Sequence, residues 1–149
     1  MRIGIASDHG GYTLKTHVIK DLEAKGITVV DYGTDSETSV DYPDFAKKVA
    51  TGVKEGAVDF GIAMCGTGIG ISIAANKIKG IRAALVYDTN TARLAREHNN
   101  ANIIALGGRT TTPDEAMDII DAFMQAHFES RHQKRLDKID DLEKGENGQ

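Results

Sequence analysis

The stretch Phe60-Gly61-Ile62-Ala63-Met64-Cys65-Gly66-Thr67-Gly68-Ile69-Gly70 sets the terms for the rest of the chain. It starts as a run of small and apolar residues of the kind that fills a buried strand, then breaks into a loop of alternating glycines. Ile71 to Ala75 are again small or apolar, as in a helix packed closely on a sheet. Where a strand, a glycine turn and a helix start meet, N–H groups without helical partners converge and an anion is held. The single cysteine, Cys65, stands where the strand stops. A free cysteine can be a small buried hydrophobe. At a strand end before a helix N-terminus the dipole favours the thiolate instead, and this placement favours the reactive reading. The loop spacing G-x-G-x-G is neither the dinucleotide fingerprint nor the phosphate-loop motif. It suits either a tight strand–helix junction or a row of donors beside a thiolate that holds a developing oxyanion.

The rest of the chain alternates strand and helix patterns. Residues 2–7 form a β-type run that ends in Ser7-Asp8-His9-Gly10-Gly11. Leu14, Val18, Ile19 and Leu22 recur at helical spacing over residues 12–25, and Gly26 stops that helix. A second strand is expected over residues 28–32, and a polar loop over 33–41. Pro43 opens a helix whose apolar face is Phe45, Ala46, Val49, Ala50 and Val53, with Gly56 at its end. The Phe60–Met64 strand is third, and its helix runs to about Lys77. A fourth strand is expected over 82–86, then a helix through Glu97 capped by Thr89 or Asn90. The fifth strand spans 103–106. Thr112-Pro113-Asp114-Glu115 is a strong helix start, with a cap, a first-turn proline and acids at the positive dipole end; the helix runs to about His127. A charged last helix covers 131–144, and 145–149 is expected to fray. The whole reads as one domain over residues 1–149.

This βα repeat predicts an α/β fold, a doubly wound, five-stranded parallel sheet of the Rossmann or flavodoxin-like kind, with a C-terminal helix. The order 2-1-3-4-5 is the first expectation. It reverses between strands 1 and 3, and ligands sit at such a switch point beyond the carboxyl ends of the strands. Asp8-His9 and Cys65-Gly66-Thr67 meet there, with Arg109 on the same rim. Asp8 and His9 either cap the first helix or belong to the site. His98 and Asn99 end a helix that runs back from the rim, so they fall at the opposite end of the sheet. His98 is either a helix C-terminal cation or a catalytic group for a different subunit. Arg131 and Arg135 raise the same question. Four apart, they either grip one phosphate or lie on a solvated charged face.

Composition narrows the function classes. With 40% apolar and 27% charged residues the chain is an ordinary globular protein, and its net charge of −4 argues against a nucleic-acid binder. One cysteine cannot form an internal disulfide, which suits the cytoplasm. Neither a signal-type h-region nor a membrane-length apolar run is expected. His9, His17, His98, His127 and His132 fit no recognised ligand spacing, so no metal is expected.

Taken together, Ser7-Asp8-His9-Gly10-Gly11, Asp31-Tyr32-Gly33-Thr34, Asp41-Tyr42-Pro43, Cys65 to Gly70, Ala74-Ala75-Asn76-Lys77, Gly80-Ile81-Arg82-Ala83, Glu97-His98-Asn99 and Arg131-His132-Gln133 resemble the B-type ribose-5-phosphate isomerases. That family also holds allose-6-phosphate isomerase and the galactose-6-phosphate isomerase subunits. The resemblance implies an aldose–ketose isomerase of the pentose phosphate pathway, needing no metal or other cofactor and working as a homodimer or dimer of dimers. It implies Cys65 as the base between C1 and C2. Members without this cysteine carry a glutamate at the place of Ile71, so Cys65 has no competitor here. It implies ring opening by Asp8 and His98, and an enediolate surrounded by Thr67 and the amides of Gly66, Gly68, Ile69 and Gly70. His9, Arg109, Arg131 and Arg135 match phosphate-linked positions, and Tyr42 and Asn99 match substrate contacts. The galactose-6-phosphate subunits lack the histidine at 98 and the Arg-His-Gln motif, which favours ribose 5-phosphate.

Two other readings differ in class or substrate. A hexose phosphate such as allose 6-phosphate would suit a larger pocket. A binding or signalling module of the same fold would want an aspartate at the end of strand 3, or aromatic stacking residues for a flavin. This chain has Cys65 there and no tryptophan.

Overall fold

The computed structural model describes residues 1–147. Its strands are β1 (Arg2–Ser7), β2 (Thr28–Asp31), β3 (Phe60–Cys65), β4 (Ala83–Leu85) and β5 (Ile103–Gly107). Its helices are α1 (Tyr12–Ala24), α2 (Tyr42–Lys54), α3 (Ile69–Ala75), α4 (Thr89–Glu97), α5 (Pro113–Gln125) and α6 (Gln133–Asn147), with a 3₁₀ turn at Ser130–His132. All strand pairs are parallel. The expected α/β class holds.

The strand order is β2-β1-β3-β5-β4, so the expected 2-1-3-4-5 is corrected at its last two strands. Burial explains the exchange. Every residue of β5 is buried, and such a run needs a neighbour on each side. The strand β4 has three residues, all partly or fully exposed, and suits an edge. Right-handed crossovers then decide the layers. The step from β3 out to β4 carries α3 over the face that holds α2. The step back to β5 carries α4 over the other face, against α5. The reversal between β1 and β3 is unaffected.

Two cores result. Ile3, Ile5, Phe60, Ile62, Met64, Ile104 and Leu106 meet α1, α4 and α5 on one face. Ala6, Ala63, Cys65, Ile103 and Ala105 meet α2 and α3 on the other. Small strand residues let α2 approach the second face. A Cβ added at Gly61 would lie 2.9 Å from the Val49 Cγ2. Cys65 therefore belongs to the tighter layer.

Some ends differ from the sequence expectation. Asp88, rather than Thr89 or Asn90, caps α4: its carboxylate accepts the Thr91 N–H at 2.7 Å, and Asp88 N–H donates to the Thr91 hydroxyl. Thr112 and Glu115 form the reciprocal box at α5. That helix stops at Gln125, ahead of His127. Arg131 lies in the 3₁₀ turn before α6 rather than on the last α-helix. The helix α6 continues through Gly145 to Asn147, where fraying was expected; good helix formers flank the glycine, whose interior cost is only about 1 kcal/mol. Gly148 and Gln149 lie outside the described residues.

Candidate active site

Pairing of β1 with β3 aligns Ser7 with Met64, so Asp8 comes beside Cys65 as both strands end. Asp8 N–H donates to the Met64 carbonyl at 3.1 Å. On the other side Cys65 pairs with Gly107, and Gly108 N–H donates to the Cys65 carbonyl at 2.8 Å. Three strand ends thus meet around the thiol.

Asp8 is buried, and its Oδ1 accepts the N–H groups of Gly10 at 2.9 Å and Gly11 at 3.2 Å. It shapes the turn into α1 without capping it, because Gly11 occupies the cap position. His9 is half-buried, and its Nδ1 accepts the Val40 N–H at 3.1 Å. A backbone N–H can only donate, so the neutral ring carries its proton on Nε2 and presents a donor. Val40 was not singled out in the sequence, and no local signal marks it.

The thiol is buried, and its Sγ accepts the Gly68 N–H at 3.2 Å. Gly68 makes this return possible in a left-handed conformation, φ +81°. Thr67 Oγ1 accepts the Ile69 N–H at 3.2 Å. Two of the loop's amides therefore serve the loop itself. The helix behind it, α3, has only seven residues, so the donor at the sulfur is this one amide more than a long helix dipole.

Arg109 folds over the loop. Its N–H donates to the Gly66 carbonyl at 2.9 Å, and a Cβ added at Gly66 would lie 2.7 Å from the guanidinium Nη1. A Cβ at Gly10 would meet the Gly66 amide at 2.9 Å, and one at Gly70 would meet the Tyr42 ring at 2.6 Å. Asp8, His9, Tyr42, Cys65, Gly66 to Gly70 and Arg109 are thus one cluster. Ile69, Ile73 and Leu85 add exposed apolar surface near it.

His98, Asn99, Arg131 and Arg135 are elsewhere. His98 ends α4, and the carbonyls of Asn99 and Asn100 accept the guanidinium of Arg82, which stands just before β4. Asn99 lines a groove between β4 and α6 with Ile139 and Leu142. This is the amino edge of the sheet. The six residues of β3 separate the two edges by about 17 Å.

At the amino edge His98 stacks on His132, ring centroids 4.3 Å apart. His132 is buried and its Nδ1 lies 3.1 Å from the Arg135 Nη1. Burial, then the charges of Arg131, His98 and Arg135, lower the pKa of His132 below the ordinary histidine range; Glu129 opposes them. Glu129 Oε1 lies 2.9 Å from Arg131 Nη2, 3.7 Å from His132 Nε2 and 3.9 Å from His98 Nε2. The Glu129 N–H donates to the Glu97 carbonyl at 2.9 Å, which ties this turn to the end of α4. Glu129 escaped the sequence reading because nothing local links it to His98.

The ligand-type atoms of His98, Glu129 and His132 lie within 4.8 Å of one another. They are nevertheless ill-suited to a cation. Arginine only donates, so His132 Nδ1 accepts from Arg135 and the neutral ring keeps its proton on Nε2. That nitrogen is then a donor, and two guanidinium groups stand beside it.

A parallel α/β sheet with a thiol, a carboxylate, an imidazole and an arginine around a glycine loop at its switch point defines a site for a small anionic metabolite. The chain belongs to the ribose/galactose isomerase family, whose model matches residues 3–139. The structure of a ribose-5-phosphate isomerase B from Clostridium thermocellum is similar with a TM-score of 0.95 and 53% identity, covering 97% of this chain and 99% of that one. A probable ribose-5-phosphate isomerase B of Mycoplasma genitalium is 50% identical over 145 residues, 95% of each chain. A structure of ribose-5-phosphate isomerase B from the same organism, with ribulose 5-phosphate bound, aligns with a TM-score of 0.90 and 49% identity over 96% of both chains.

Proposed function

We propose that this protein interconverts ribose 5-phosphate and ribulose 5-phosphate through an enediolate, with Cys65 as the base. The observation that carries the reading is the buried Cys65 thiol with the Gly68 amide on its sulfur, at a strand end whose neighbouring strands run out into Asp8 and into Gly108-Arg109. The family and the ribulose 5-phosphate held by the Mycoplasma relative support the substrate.

The aldose arrives as a furanose. Asp8 takes the proton of the anomeric hydroxyl as the C1–O4 bond breaks, and His98 gives a proton to O4. Cys65 thiolate then removes the C2 proton, and the electron pair moves into the C1–C2 bond and onto O1. A proton passes from O2 to O1, and the thiol returns its proton to C1. Thr67 and the loop amides not engaged within the loop face the enediolate. His9, Arg109, Arg131 and Arg135 hold the phosphate, and Tyr42 and Asn99 contact the sugar. Remote binding of this kind favours the chemical step through orientation.

In this reading His98, Asn99, Arg131 and Arg135 come from a second copy and the working form is a homodimer with shared sites; the separation of the two edges supports it. Exposed Ile69, Ile73 and Leu85 near the loop support such an interface. Among the described residues no helix is long and apolar enough to cross a membrane. The lone cysteine suits work in the cytoplasm.

An isomerase assay with ribose 5-phosphate and allose 6-phosphate at equal concentration tests the reading. Faster turnover of the pentose phosphate is expected. Preference for the hexose phosphate, or turnover of neither, overturns it.

A further inference from the structure

The geometry points to Glu129 as a positioning residue that keeps His98 as the proton donor in ring opening. The inference rests on the isomerase reading above and adds a residue that this reading does not use.

Three observations carry it. First, the carboxylate is held in place. The Glu129 N–H is bonded to the Glu97 carbonyl at 2.9 Å, one residue before His98, and Arg131 Nη2 grips Oε1 at 2.9 Å. Second, that same oxygen lies 3.9 Å from His98 Nε2, within ion-pair range. A carboxylate at this distance faces the His98 ring edge and sets the orientation of the imidazole that, in the reading above, gives a proton to O4. Third, the neighbour stacked on His98 faces the same carboxylate. His132 lies buried at 4.3 Å between centroids, and its surroundings disfavour its protonation. Its Nε2 is buried without a hydrogen-bond partner and faces Glu129 at 3.7 Å. A neutral His132 turns a second N–H toward the carboxylate that faces His98.

The remaining charged groups here, Arg131 and Arg135, cannot take this role. Guanidinium groups only donate, so neither can accept from the His98 ring, and Arg135 is engaged with His132 Nδ1. Glu129 is the carboxylate that faces both imidazoles.

Glu129→Gln keeps the shape and removes the charge. The test compares ribose 5-phosphate with its C2-deuterated form in the unmodified protein, Glu129→Gln and Glu129→Asp. Expected is a fall in kcat on the order of tenfold for Glu129→Gln, a primary isotope effect at or near one, and recovery of turnover in Glu129→Asp. With kcat lowered, an isotope effect near one means that a step other than C2–H cleavage has become limiting, which misalignment of the base at C2 does not produce. Three results overturn the inference: unchanged kcat, a fall in kcat with an isotope effect retained or increased, or a lower KM with kcat unchanged. The last would mean that Glu129 merely competes with the substrate anion for Arg131. If the unmodified protein turns over no sugar phosphate, the isomerase reading itself falls and this inference with it.

Discussion

The backbone N–H of Gly68 points at the sulfur of Cys65 across 3.2 Å, so the residue three places after the thiol folds back to serve it. The left-handed backbone at Gly68 makes that return possible. One peptide unit thereby places a hydrogen-bond donor on the sulfur at the strand end. The same loop is pinned from outside, by Gly108 N–H on the Cys65 carbonyl and Arg109 N–H on the Gly66 carbonyl.

Replacing Cys65 removes the proposed base and little of the core. Cys65→Ala is expected to lower kcat by about 10²–10⁴-fold, the usual contribution of a positioned acid–base group. Its circular dichroism and melting curve should stay close to those of the unmodified protein. Near-normal turnover by this variant would show that Cys65 is not the base.

Two glycines of the loop should respond differently to alanine. At Gly68 a Cβ meets Leu85 at 2.8 Å and the Leu106 backbone at 2.9 Å, in a conformation that L side chains avoid. Gly68→Ala is therefore expected to cost roughly 2–4 kcal/mol and to lower Tm by about 5–12 °C. At Gly66 the neighbour is the end of the flexible Arg109 side chain, which can swing away. Gly66→Ala should keep Tm within about 2 °C and raise KM instead, because the guanidinium is displaced. Differential scanning calorimetry with steady-state kinetics separates the two.

Stability should fall on mild acidification, in a way that depends on His132. Its pKa in the folded protein is lowered, first by burial and then by Arg131, His98 and Arg135. Below the ordinary histidine value of about 6.5, the unfolded chain binds a proton at this ring that the folded chain refuses. The unfolded state then holds more protons, so stability rises with pH and is lost as pH drops through that region. Tm measured from pH 7.5 to 5.5 should fall less steeply in His132→Gln than in the unmodified protein. Equal slopes would remove His132 from the effect.

A site divided between subunits predicts rescue by mixing. Cys65→Ala and His98→Asn should each be inactive alone. After subunit exchange at equal amounts, half the dimers are mixed, and each mixed dimer holds one intact site. Activity should return to about a quarter of the unmodified level. No recovery, with exchange verified by mass-tagged subunits, contradicts a shared site.

Much of the framework was legible because it is local. Glycine positions, a first-turn proline and the Thr112–Glu115 box mark where helices begin, and alternating elements require parallel strands. From these followed the switch point, the neighbourhood of Asp8 and Cys65, and the placement of His98 at the far edge. The exchange of β4 and β5 was not read, although its cause stands in the chain. Ile103-Ile104-Ala105-Leu106 is continuously apolar and β4 is short, but choosing between them for the interior requires comparing burial across the whole sheet.

Periodicity and glycine chemistry act within a few residues, so the sequence by itself determined the α/β class, the glycine loop and the thiol at its entrance. Only the tertiary structure decided which distant groups meet. Val40 reaches His9 across 31 positions, Arg109 lies over Gly66, and Glu129 comes to His98. Each of these contacts depends on helices and loops packing against one sheet, and no short-range pattern encodes it.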